Sequence, residues 1–182
     1  MDGANNRRLV LPIGYRFCPN DEDLVNCYLT KKAFGEPVFP NIIPDVDFFQ
    51  NHPSSFPEGG RLFLEKRYFF SITRRPVLVN MHEQIAAASG YWRTRGKTKE
   101  IVISGNNQLI GIKNMFVFWE GRDNIQTKTN WVMHEFRLTH RTTPNQLQVA
   151  DWAAYRLFQE KKKRASEGSD EESSRGNDTD TP

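Results

Sequence analysis

Apolar residues along this chain fall into two rhythms. Between Asp21 and Lys32, Leu24, Cys27 and Tyr28 recur at the spacing that builds one helical face. Asn20 precedes them as an N-cap. Asp21, Glu22 and Asp23 fill the first turn and Lys31 and Lys32 the last, each charge at the end where the helix dipole favours it. Asp23 stands at the third position of a capping box, with Asp in place of Glu or Gln. The pattern predicts a helix over 21–32.

The second rhythm is that of strands. Residues 61–72 carry Leu62, Phe63, Leu64, Tyr68, Phe69 and Phe70 and predict one strand. Others follow at Glu100–Ile103, Gln108–Lys113, Met115–Trp119, Asn130–Leu138 and Trp152–Phe158, separated by turn signals at Ser104–Asn107 and Gly121–Asn124. The stretch 37–60, rich in Pro, Asn, Ser and Gly, predicts loop with one helical turn near Val46–Phe49, and 73–85 also reads as loop. Successive hairpins imply an antiparallel sheet with one clear helix near its start. No internal repeat is present.

One strand-like stretch breaks the apolar rule. In "YWRTRGKTKEIVI", Arg93, Arg95, Lys97 and Lys99 occupy every second position. In a strand such residues share a face, here over roughly 20 Å at ~3.3 Å per residue. Ile101 and Ile103 have the same parity, so one face would change from cationic to apolar, with the basic end projecting beyond the core. Gly96 is the place where a bulge would break that phase. Gly90 and Gly96 bracket the start of the comb and permit close backbone approach. Thr94 and Thr98 add short donors between the cations.

A solvent-facing strand that resists aggregation explains such a comb equally simply. The alternative is a polyanion: a projecting strand edge fits the DNA major groove, about 12 Å wide, where Arg can take guanine bidentately and Lys meets phosphate.

Charge sharpens this choice. The chain of 182 residues has a net charge of +3, but residues 165–182 hold Arg175 against six carboxylates, which leaves +8 on residues 1–164. A basic body with an acidic tail suits an anionic partner. Cys18 and Cys27 are too few for a disulfide framework or a zinc cage, so Cys18 is expected as a small, partly buried structural residue. No run approaches the ~20 apolar residues of a membrane span, and the first residues lack the apolar block of a secretory signal.

Catalysis finds no support: His134-Glu135 lacks a second His at metal-motif spacing, and no nucleophile has a marked base. No catalytic residue, metal, cofactor or small-molecule substrate is expected. The cluster Lys161, Lys162, Lys163, Arg164 is a candidate nuclear import signal or a plain solvated end. Beyond it the polar tail is expected to be disordered.

The segments "LPIGYRFCPNDEDLVNCYL", "YFFS", "SGYWRTRGKTK", "TNWVMHEFRL" and "VADWAAYRLFQEKKK" together resemble the NAC family of plant transcription factors, in order, from about Arg8 to Lys162. The resemblance implies an α+β, mainly β fold: a twisted antiparallel sheet flanked by a few helices. It implies a flexible stretch at 1–7, a DNA-binding and dimerisation domain over 8–162 and a disordered acidic tail over 163–182. It further implies a homo- or heterodimer with other NAC-type proteins, DNA read by an outer strand, and a nuclear setting. Leu11 and Pro12 match the strand that pairs across the family dimer. Arg16 and Asp23 match its intersubunit Arg–Glu bridge, with Asp one methylene shorter.

The DNA strand departs from the family pattern Trp-Lys-Ala-Thr-Gly-Thr-Asp-Lys. Arg93 stands at the first Lys, Thr94 at the Ala, Arg95 and Lys97 at the two Thr, Thr98 at the Asp and Lys99 at the last Lys, which raises the stretch from +1 to +4. Upstream, His82-Glu83-Gln84-Ile85 replaces the family's Arg-Pro-Asn-Arg. Ser54 and Cys18 stand where the family has Trp and His, which reads as altered packing. Arg93, Thr94, Arg95, Lys97 and Lys99 are the expected DNA readers, with Arg74, Arg75, Lys113 and Lys128 as phosphate contacts. If 182 residues is the native length, the family's long regulatory region is missing and the protein does not activate transcription alone. A short partner that heterodimerises with longer members and modulates or blocks them, with weak or no specific DNA binding of its own, is the rival expectation.

Overall fold

A computed structural model describes residues 17–56, 66–72, 84–122, 125–139 and 151–161. Expectations placed at Leu11, Pro12, Arg16, Arg74, Arg75, Lys162, Lys163 and Arg164, and the proposed termini, lie outside these residues.

The first element, α1, is α-helical at Asp21–Asp23, π-helical at Leu24–Leu29 and α-helical again at Thr30–Ala33. Asn20 caps it as predicted, its Oδ1 accepting from the Asp23 backbone N–H at 2.7 Å. The π segment changes which side chains face inward. The Thr30 backbone N–H reaches back five residues to Val25 O; of the expected face, Leu24 is buried and Tyr28 packs partly buried against the core, but Cys27 does not face inward. Val25, Leu29 and Ala33 are buried beside Leu24, and Cys27 is exposed.

Two 3-10 turns, Phe48–Gln50 and Pro53–Ser55, follow where one was expected near Val46–Phe49. The strands are β1 (Arg67–Ile72), β2 (Gln84–Ala87), β3 (Gly90–Thr94), β4 (Lys99–Val102), β5 (Leu109–Arg122), β6 (Ile125–Leu138) and β7 (Trp152–Gln159). All strand pairs are antiparallel, in the order β1-β7-β6-β5-β3-β2, with β4 also on β5. The mainly-β, antiparallel class is as expected. Gln84 and Ile85, expected in a loop, belong to β2, because Ile85 packs opposite the fully buried Trp92. The two expected strands around Asn114 are one, β5, since its β6 edge is paired without a break from Gly111 to Val117.

Strand alternation divides the apolar residues between the two faces of the sheet. On one face, Phe48 and Phe56 from the 3-10 segment pack on Phe69, Trp92, Phe116, Phe118, Met133 and Tyr155. Phe48 stacks on Tyr155 with centroids 4.3 Å apart. On the other face, α1 lays Leu24, Val25 and Leu29 over Tyr68, Phe70, Ile101 and Phe136.

The helix end is pinned electrostatically. Asp21 accepts from Lys113 Nζ and from Arg156 Nη1, the latter at 2.8 Å. Burial pushes the Asp21 carboxyl up, but the hydrogen bonds and charges of Lys113 and Arg156 outweigh it and hold the group below its ordinary value.

His134 lies on the same face between aromatic rings, 5.1 Å from Phe158 and 6.4 Å from Phe136. Burial, reinforced by Lys113 and Arg156, lowers its pKa from 6.5 to about 4. An unfolded chain takes up this proton near pH 6.5 and the folded chain only near 4, so stability present above pH 6.5 is lost as the pH falls between those values. Thermal melting across that window is expected to show a falling midpoint that flattens in His134→Gln. An equally steep fall in the variant would assign the acid sensitivity elsewhere.

Candidate nucleic-acid interface

The cationic comb is not one strand. β3 ends at Thr94, β4 begins at Lys99, and both lie along the same edge of β5. Arg95 makes a last rung, its backbone N–H donating to Met115 O at 2.7 Å. Gly96 then takes a positive φ of 80°, a conformation that L side chains rarely adopt.

Four residues, 95–98, therefore lie opposite only two on β5, Asn114 and Met115. An insertion of two residues preserves side-chain parity. Arg93, opposite Val117, and Lys99, opposite Lys113, thus return to the same face of the sheet. The expected change from cation to core also occurs there: Lys99 is exposed and Ile101 is buried under α1. The continuous projecting strand is replaced by two strands joined by a tight outward turn.

Each comb residue has a distinct setting. Arg93 lies with its guanidinium carbon 4.5 Å from the centroid of Trp119, and its Nη2 donates to Gln126 Oε1. Thr94 points to the opposite face, in register with buried Phe116. Arg95 donates from Nε to Met115 Sδ at 3.1 Å and forms a two-pronged ion pair with Glu160, with Nη1–Oε2 at 2.8 Å. Lys97 and Lys99 are exposed, and no side-chain hydrogen bond or ion pair ties either to another described residue. Lys128 is exposed in β6 opposite Trp119, on the Arg93 face. Lys113 is on that face too, but its ammonium is taken by Asp21 and its side chain is only 14 % exposed. Lys161 is exposed.

Thr98, read from the sequence as a donor between the cations, turns inward. Its hydroxyl donates to Asn114 Oδ1 at 2.7 Å. Asn114 Nδ2 donates to buried Glu135 at 3.3 Å, and Tyr155 OH donates to the same carboxylate at 3.2 Å. A polar chain thus runs from the turn into the aromatic core and holds the turn in place. Glu135, Gln126 and Glu160 were not legible as parts of this region, because each joins it from a strand remote in sequence.

One packing expectation needs correction. Cys18 is exposed rather than partly buried. Ser54 is exposed as well, its hydroxyl 2.6 Å from His52 Nδ1 in a local turn, because the 3-10 segment buries its neighbours Pro53 and Phe56 instead. Cys18 borders an open cleft of about 730 Å³ with Asp21, Tyr68, Lys99, Lys113 and Arg156, and among the described residues no His lines it. Among the described residues no cluster of His, Cys, Asp or Glu is arranged to hold a metal, and no helix is long and apolar enough to cross a membrane. Asp23 is exposed on α1.

Comparison with known proteins bears on this arrangement. Residues 12–138 match the family model described as No apical meristem (NAM) protein. NAC domain-containing protein 83 of Arabidopsis thaliana is 36% identical over 160 residues, covering 87% of this chain and 62% of that protein. Protein CUP-SHAPED COTYLEDON 3 of the same plant is 34% identical over 156 residues, covering 86% of this chain and 47% of its own length. NAC transcription factor NAM-1 of Hordeum vulgare subsp. vulgare is 34% identical over 184 residues, covering 90% of this chain and 45% of its own. The chain thus spans less than two thirds of the length of each of these relatives. With the motifs in family order, the match over 12–138 and the antiparallel sheet carrying the basic edge, the chain belongs to the NAC family of No apical meristem proteins.

Proposed function

We propose that this chain is a nuclear, plant transcription regulator that binds double-stranded DNA as a dimer and reads the major groove with the basic surface of β3, β4 and the turn between them. The observation that carries this reading is that Arg93, Lys99 and Lys128 share one face of the sheet, with Arg95 and the exposed Lys97 in the turn that joins β3 to β4. Lys97 and Lys99, exposed beyond the turn at Gly96, are the proposed phosphate contacts, and Arg93 and Arg95 the candidate base readers. The family membership supports the same reading, since relatives are named as transcription factors. The residues matched to the family's dimer contacts, Leu11, Pro12, Arg16 and Asp23, are proposed to pair two such chains.

Selection of the purified protein on a randomised duplex library at near-physiological salt tests this. An enriched motif with two half-sites is expected. Retention of all sequences alike, steeply salt-sensitive, would reduce the edge to a phosphate grip. No retention would leave the second reading, an interaction partner of other NAC proteins. That reading is favoured by one observation: Arg95, a central comb residue, is already bound to a carboxylate of its own chain.

A further inference from the structure

The Arg95–Glu160 pair does not resemble an incidental surface contact. Glu160 follows β7 immediately, and its backbone is anchored: its N–H donates to Asn130 O at 2.9 Å, and Asn130 Nδ2 donates to its carbonyl at 3.3 Å. Its carboxylate therefore has a set place beside the comb. There it meets both terminal nitrogens of Arg95, while the third nitrogen, Nε, donates to Met115 Sδ.

A guanidinium offers two forks of parallel N–H groups, one from the two Nη atoms and one from Nε with Nη2. Glu160 closes the first and Met115 occupies half of the second. No free fork remains with which Arg95 could take the N7 and O6 of guanine or two oxygens of a phosphate. The carboxylate also puts a negative charge where DNA would approach. Its acidity reflects the contact: the hydrogen bond from Arg95 holds the Glu160 carboxyl below its ordinary value, with Lys128 adding to the effect.

We infer that Glu160 is a built-in competitor for Arg95, so that DNA must displace this carboxylate before Arg95 contributes to affinity or base choice. The inference rests on the DNA-reading function proposed above. It makes Glu160 a setting residue that acts through Arg95 without touching the base pairs. Both side chains are partly solvated, 36 % and 44 % exposed, so the pair is weak enough to be exchanged for a polyanion on binding.

The test is a cycle of four full-length proteins: wild type, Glu160→Gln, Arg95→Ala and the double variant. Each is titrated against a fluorescein-labelled duplex pool of random sequence across a range of salt. Glu160→Gln is expected to tighten binding about fivefold, the weight of one released exposed ion pair. It should also steepen the logarithmic salt dependence by about one, as Arg95 becomes free to meet a phosphate. In the Arg95→Ala background the same change should do almost nothing.

Two results overturn the inference while leaving DNA reading intact. One is unchanged or weaker binding of Glu160→Gln. The other is an equal gain with and without Arg95, which would mean that only net charge had changed. Failure of wild type and all variants to bind the pool would overturn the DNA reading itself and the competitor role with it. Circular-dichroism melts of the four proteins keep misfolding from passing as lost binding.

Discussion

Replacing Lys97 and Lys99 together by glutamate is expected to lower affinity for every duplex by on the order of 100-fold or more, with the fold intact. Both side chains are exposed, and neither is bonded to another described side chain, so folding loses nothing specific. DNA binding loses two cation–phosphate contacts and gains two repulsions. The milder replacement by alanine should reduce the slope of log affinity against log salt by about two and leave base preference in a library selection unchanged.

Arg93 and Arg95 differ from the lysines. They are planar donors held by Trp119 and Gln126, and by Met115 and Glu160, so changing them is expected to alter preference as well as affinity. Wild-type affinity in the double glutamate variant would remove β4 and the turn before it as the DNA surface. Unaltered melting of that variant, measured alongside, confirms that binding and not folding was changed.

Gly90→Ala is expected to cost about 3 kcal/mol of stability and to take DNA binding with it. A Cβ at Gly90 would lie 2.0 Å from Trp119 O, a backbone atom that cannot swing away. β3 would have to lift off β5 at Glu120, the first rung of the pairing that carries Arg93. Overpacking in a well-paired region costs roughly 1–3 kcal/mol, and a clash between two main chains sits at the upper end.

Gly96 provides the contrast. Nothing lies within 4 Å of a Cβ there, so Gly96→Ala meets only its φ of 80° and should cost about 1 kcal/mol. Urea unfolding of both variants distinguishes the two roles. A Gly90→Ala protein as stable as wild type would show that β3 does not run this close to β5.

The two glycines illustrate what was legible. That they permit unusual backbone at the start of the comb could be read from their positions, but the reason differs between them. At Gly90 it is the approach of a second strand, and at Gly96 it is torsion. Sequence spacing cannot separate these, because the atoms that crowd Gly90 belong to residues thirty positions away. The helix was legible at its cap, where Asn20 and Asp23 interact within one turn. Its buried face was legible at Leu24 and Tyr28 and misread at Cys27, because a π turn shifts the inward positions and leaves the caps unchanged.

By itself the sequence determined the antiparallel, mainly-β class, the capped helix, the basic comb and the family, all carried by local periodicity, local capping or ordered motifs. Tertiary structure alone decided what each comb residue can do. It split the strand at Gly96 while preserving parity, turned Thr98 inward to Asn114, gave Lys113 to Asp21 and Arg95 to Glu160, and left Lys97 and Lys99 in solvent. The physical reason is that a cation's availability depends on which carboxylate stands beside it. In this sheet those carboxylates arrive from α1 and from the end of β7, tens of residues from the charges they neutralise.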